Sequence, residues 1–254
     1  MQGNVASAMQ GNVASAITTD LTAVARTRVF YGHQSVGRNV LDAVPGVYAE
    51  HGVSAPLFVH VERGVSVLPI EEGGTQPGPN GGFIAHQLIG QNGKPLLKLK
   101  EFDRDMRGGM GRQLDVALMN IDVRNGMDVA ALFARYRDTM GALERDFPNV
   151  TFIHVTVPVF TDALAWGKPD DVAAERFNAL IRGKYGGHHL FDLAAIESTK
   201  PDGTRVSGSY DNHGYFALYD GYAEGDGFGS HLNAVGAKIA ATAFLEAIAQ
   251  ASRK

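Results

Sequence analysis

Hydrophobic and polar positions along the chain switch repeatedly between the two-residue period of a strand and the 3.6-residue period of a helix. Residues 28–33, RVFYGH, are β-branched and aromatic and read as a strand. Helical spacing follows over 36–50, with Val36, Val40, Leu41, Val44, Val47 and Tyr48 apolar. Pro45 predicts a break or kink there. Further strands are expected at 56–61 (PLFVHV), 114–121 (LDVALMNI), 150–157 (VTFIHVTV) and 189–193 (HLFDL). Helices are expected at 128–147, 171–184 and 233–251. The first of these carries Leu132, Phe133, Tyr136, Met140, Leu143 and Phe147 on one stripe. Residues 62–113, with the turn-forming cluster EEGGTQPGPNGG at 71–82, read as a loop region over one face of a site. A second long loop is expected from about 194 to 231.

Five alternations of strand and helix require crossover connections, and these make a parallel sheet covered on both faces. The expected fold class is therefore α/β: one three-layer α/β/α sandwich with a five-stranded, parallel, flavodoxin-like sheet. A chain of 254 residues is long enough to bury such a core without staples. It has no cysteine, which excludes disulfides, thiolate metal sites and cysteine nucleophiles. The net charge of −4 comes with scattered basic residues, so no nucleic-acid partner is expected. No apolar run reaches the roughly 18–20 residues of a membrane span.

Residues 1–8, MQGNVASA, recur identically at 9–16 without an apolar face. Residues 1–25 are accordingly expected to be a tail outside the fold, and 26–254 the folded domain. Ala14-Ser15-Ala16 looks like the small-residue end of a secretory signal, but no apolar segment precedes it. The compartment stays open between periplasm or export and cytoplasm.

In parallel α/β sheets ligands bind beyond the carboxyl ends of the strands, and candidate chemistry gathers there. Ser35 sits where the first strand turns into the first helix, in Gly32-His33-Gln34-Ser35-Val36-Gly37. Free backbone N–H groups at a helix start stabilise a developing negative charge. The same position suits an ordinary capping serine. His231 precedes the last helix in Asp226-Gly-Phe-Gly-Ser230-His231. A hydroxyl nucleophile needs a base, and the base needs an acidic partner. Asp226, five residues earlier, can serve if its glycine-rich loop folds back. Asn120 and Asp122 end the third predicted strand. Gly64, after the second, offers a backbone N–H. His33, two residues before Ser35, is expected to line the same pocket, with Gln34 beside it. There is no HExxH, so neither a metal site nor another cofactor is expected; His33, His60, His86, His154 and His213 could gather only through the fold.

At these residues the chain resembles the SGNH/GDSL hydrolase superfamily, in a bacterial branch whose first block reads Gly-His-x-Ser. The corresponding blocks are GHQSVG at 32–37, ERG at 62–64, MNID at 119–122 and DGFGSHLNAVG at 226–236. The third block lacks the family's glycine, and Phe228 stands where the last block carries its acidic residue. The resemblance implies ester hydrolysis by acyl transfer, with Ser35 as nucleophile, His231 as base and Asp226 as its acid. It implies an oxyanion held by the Ser35 and Gly64 N–H groups and Asn120, and a small-molecule or carbohydrate ester as substrate. Two other readings stay open: a non-hydrolytic binder of carbohydrate or another small ligand on this fold, and a lyase or metal-dependent enzyme using His33 and the 62–113 loop.

Overall fold

The computed structural model describes residues 16–68, 80–187 and 189–253. Its centre is a parallel sheet of β1 (Arg28–His33), β2 (Leu57–His60), β3 (Phe83–Leu88), β4 (Val116–Met119), β5 (Thr151–Val155) and β6 (Leu190–Phe191). The strand order is β2-β3-β1-β4-β5-β6, every neighbouring pair parallel. Side chains alternate across the sheet because successive Cβ atoms point to opposite faces. Val29 and Tyr31 therefore enter one core, with Val40, Val44, Phe244 and Ile248 from α2 (Ser35–Glu50) and α7 (Ala234–Ser252). Phe30 enters the other, with Phe102, Tyr136 and Phe177 from α3 (Pro95–Gly108), α4 (Val129–Asp146) and α5 (Lys168–Tyr185). The fold is the expected three-layer sandwich.

The sheet has six strands among the described residues, not five. Part of the segment expected to be loop supplies β3 and α3, and β3 lies between β2 and β1. The irregular centre of that segment, 69–79, falls outside the described residues. The second expected loop holds α6 (Leu193–Ser198) and a hairpin of β7 (Ser207–Tyr210) and β8 (His213–Phe216). Asp211 and Asn212 turn that hairpin at φ 48° and 59°, a conformation their short polar side chains tolerate.

Three other expectations change. Pro45 does not end its helix: α2 runs through it, with Pro45 and Gly46 on the exposed side. The expected tail is too long, because residues 16–24 form a helix, α1. Leu21, Val24 and Ala25 are buried in the first core, and the Tyr48 hydroxyl donates to the Leu21 carbonyl at 3.0 Å. The remainder of that tail, 1–15, lies outside the described residues. Finally, α7 does reach membrane-spanning length, with a mean hydropathy of 1.2. It is a core helix here: Ala237, Ala240, Phe244 and Ile248 are buried between α2 and the sheet.

Along the chain after β5, buried side chains satisfy several backbone groups. Asn178 accepts from the Val157 N–H and donates to the Val157 carbonyl, at 2.7 and 3.0 Å. Glu197 accepts from the Val159 N–H and Asp171 from the Phe160 N–H, both at 2.9 Å. Burial pushes the Asp171 carboxyl up to about 8. The folded state thus holds this proton more tightly than the unfolded chain, whose aspartates titrate near 4. The group's contribution to stability is full below that lower value and is lost as pH rises toward about 8. Asp171→Asn keeps an acceptor for Phe160 and has nothing to ionise. Between pH 5 and 8.5 its Tm is expected to gain on the wild type by on the order of 5–10 °C. A difference in melting temperature that stays constant with pH contradicts this.

Candidate active site

Ser35 is the first residue of α2, at the carboxyl end of β1. The helix can begin so close to the sheet because residue 37 is glycine: a Cβ there would come within 2.4 Å of the His33 Cβ and 2.9 Å of the Tyr31 hydroxyl. Asp128, Asp192 and Asn233 accept backbone N–H groups at the starts of α4, α6 and α7. Gln34 makes no such cap on α2. Its amide reaches away instead, donating to the carbonyls of Ile89 at 2.7 Å and Gly90 at 3.3 Å.

A cavity of about 50 Å³ opens at this helix start. Ser35, Val36 and Gly37 line it, with Asn120, Asp122 and Arg124 after β4, Val157 and Phe160 after β5, and Ser230. β1 is the strand from which the chain runs outward to both sides of the sheet, so this is the expected crevice.

Asn120 is buried, and its side-chain oxygen accepts a hydrogen bond from the Tyr31 hydroxyl. That bond orients the amide and leaves its NH2 group as the donor available at the cavity. Burial pushes the Tyr31 hydroxyl far above its usual range, so it stays a proton donor. Asp122 also reaches the cavity but is occupied there. It pairs with the Lys98 ammonium at 2.7 Å and accepts from the Gly93 N–H. Lys98 is 2 % exposed and donates to Asn92 at 2.9 Å. Burial lowers its pKa against the opposing pull of Asp122. Asp122 and Lys98 thus form a braced wall between the 90s turn and β4.

His231 lies on the loop before α7, and its Nδ1 is hydrogen-bonded to Asp226. Gly225, Gly227 and Gly229 all adopt positive φ, at 74°, 82° and 72°. These three bends return Asp226 to the histidine across five residues, because glycine enters this region without a Cβ penalty. The other Asp226 oxygen accepts from the Phe228 N–H at 3.0 Å. Partial burial raises the Asp226 pKa, but the bonds from His231 and Phe228 outweigh it and hold the carboxyl below its ordinary value. The loop is fixed from both sides. Thr161 N–H donates to the Gly229 carbonyl at 2.8 Å, and Glu224 N–H to the His231 carbonyl at 2.9 Å. Leu232 N–H donates to Asn39 at 3.2 Å. Asn39 lies one turn along α2 from Ser35, on the same face. That bond ties the residue after His231 to the helix that presents Ser35.

Among the expected site residues, His231 and Asp226 do not line the cavity, which their neighbour Ser230 reaches, and two more lie elsewhere. Gly64 is exposed, at φ 87°, and does not line the cavity. It follows β2, and β3 separates that strand from β1. His33 is fully buried beneath the helix start and does not line the cavity either. Its Nδ1 lies 2.8 Å from the Gln34 carbonyl oxygen, and its Nε2 lies 3.1 Å from Nδ1 of His86. His60, opposite His86 in the β2–β3 register, completes a row of three rings. His154 packs on Tyr185 and lies beyond this row, as does His213 in the hairpin. Residues not anticipated at the site are Lys98, Asn92, Arg124, Ser230 and the tether Asn39. Lys98 had one visible signal, a charge falling on the stripe of Leu99, Phe102 and Met106.

No family model matches the chain, and no curated protein does. Solved structures do match. One is a Bacteroides fragilis protein provisionally named as an acylhydrolase, 11 % identical, with a TM-score of 0.54 over 89 % of this chain and 88 % of that one. Another is a protein from Streptococcus pneumonia provisionally named as a platelet activating factor, 13 % identical, with a TM-score of 0.52 over 96 % and 98 %. At these identities the likeness extends to the fold: this chain has the three-layer α/β/α sandwich of a structure named for acyl hydrolysis.

Proposed function

We propose that the protein is a serine hydrolase of the SGNH/GDSL type that cleaves short-chain esters. One observation carries the reading. A serine at an uncapped helix start shares a cavity with an oriented asparagine amide, and a hydrogen-bonded His–Asp pair is tethered to the same helix. In this mechanism His231 takes the Ser35 proton through Nε2, because Nδ1 is held by Asp226. Ser35 Oγ attacks the ester carbonyl. The Ser35 N–H and the Asn120 NH2 stabilise the oxyanion, as donors aimed at developing charge do. The protonated histidine gives its proton to the departing alcohol. Water then attacks the acyl-enzyme by the same route, with His231 again as base.

The cavity limits the acyl group. Each water-sized centre needs about 10–15 Å³, so about 50 Å³ holds roughly four. A cavity of that size suits an acetyl group better than an eight-carbon chain. Among p-nitrophenyl esters, kcat/KM is expected to be greatest for acetate or propionate and to fall at least about 10-fold by octanoate, on the scale of lost pocket contacts. Equal or faster octanoate turnover contradicts the acyl assignment. No turnover of any ester contradicts the hydrolase reading.

A further inference from the structure

We propose that the buried pair His33–His86 positions the backbone N–H of Ser35 for oxyanion binding, by clamping the carbonyl of the Gln34–Ser35 peptide. This rests on the hydrolase reading above.

The hydrogen bonds determine how the pair is protonated. The Gln34 carbonyl oxygen can only accept, so the His33 Nδ1 beside it at 2.8 Å carries a proton. Burial pushes both His33 and His86 down to about 4, so both rings are neutral at ordinary pH. A neutral His33 protonated on Nδ1 has a bare Nε2. That nitrogen, 3.1 Å from His86 Nδ1, accepts a proton from it. The order runs from His86 Nδ1–H to His33 Nε2, then from His33 Nδ1–H to the Gln34 oxygen. The row ends on a carbonyl, which has no proton to hand on. It is therefore not a proton path to the Ser35 hydroxyl, and its effect must be geometric.

The geometry it controls is that of one peptide plane. The Gln34 C=O and the Ser35 N–H belong to the same rigid unit and point in opposite directions. Holding the oxygen down toward His33 aims the N–H up, at the start of α2 where Ser35 meets the cavity. The Arg38 N–H, donating to the same oxygen at 3.0 Å, is the helix's own contribution. His33 adds a second donor, fixed by its partners. It is fully buried, tilted against Tyr31 with ring centroids 5.3 Å apart, covered by Gly37 and hydrogen-bonded to His86, which is 7 % exposed. Tyr31 also orients Asn120, so both proposed oxyanion donors are braced by one cluster beneath the site.

Two substitutions of similar size separate positioning from bulk packing. The Asn amide nitrogen lies as many bonds from Cα as His Nδ1, and the Gln amide nitrogen as many as His Nε2. His33→Asn therefore keeps the donor to Gln34, and His33→Gln moves it away. On p-nitrophenyl acetate, His33→Asn is expected to keep kcat within about threefold of wild type. His33→Gln is expected to lose on the order of 10² in kcat, the scale of one oxyanion donor, with KM little changed. Equal kcat values for the two variants, or a larger loss for Asn, overturn the proposal. If melting curves show that neither variant folds, His86→Leu replaces them: a fall in kcat of about 10-fold at unchanged KM supports the clamp, and wild-type kcat overturns it. A wild type that hydrolyses no ester removes the hydrolase reading and this proposal with it. A wild type that hydrolyses while the variants fail the pattern removes this proposal alone.

Discussion

Replacing Ser35 with alanine is expected to lower kcat/KM on p-nitrophenyl acetate by about 10⁴ to 10⁶, and His231→Ala by a similar factor. The two losses should not add. Nucleophile and base act as one unit, so the double variant should be no worse than either single one by more than a small factor. Stability gives the control. Ser35 caps nothing that the structure displays, since α2 begins without a side-chain cap. Its replacement by alanine, the best helix former, should leave Tm within a few degrees of wild type. A protein that loses activity and keeps its melting curve has lost chemistry, not fold. A Ser35→Ala variant with near wild-type turnover would return Ser35 to an ordinary helix-start serine.

Asp226→Asn is expected to cost on the order of 10³ to 10⁴ in kcat. Asp226 accepts from His231 Nδ1–H, and this keeps Nε2 bare to receive the serine proton. An asparagine can present its NH2 to Nδ1 instead, which stabilises the opposite tautomer and leaves nothing to balance the imidazolium. The effect should fall toward the lower end of the range, because the Asp226 side chain is 25 % exposed and water shares in the stabilisation. Activity within a factor of ten of wild type would mean that His231 works without this acid.

Much of this architecture is visible in the order of residues, and the gaps have physical causes. β1, β4, β5, α4 and α7 carry unbroken apolar patterns and stand within about two residues of where periodicity puts them. β3 was hidden because FIAHQL buries His86 and Gln87 in mid-strand, and a polar pair reads as the end of an apolar run. α3 was hidden because Lys98 and Asp105 share its buried face with Leu99 and Phe102. In both cases the polar residue is buried because the fold supplies a partner, Asp122 for Lys98 and His33 for His86, and such partners are remote in sequence.

The same omission misplaced Gly64. Without β3, β2 looks like the neighbour of β1, and the glycine after it looks like a donor beside Ser35. The pairing of Asp226 with His231 was legible because its cause is local: alternating glycines within five residues. The Tyr31–Asn120 bond spans 89 positions and had no such local cause. The place of His33 was half visible. Its distance from Ser35 marked it as close to the site, but its place beneath the helix rather than in the pocket depends on Gly37 and His86.

Ser35 is expected to be an activated nucleophile. This is tested most directly by treating the purified protein with a fluorophosphonate probe and mapping the adduct by peptide mass spectrometry. One modified peptide is expected, carrying the adduct on Ser35 at near-stoichiometric yield, with little labelling in His231→Ala. No adduct on the folded wild type, or an adduct on another serine that persists in His231→Ala, would contradict it.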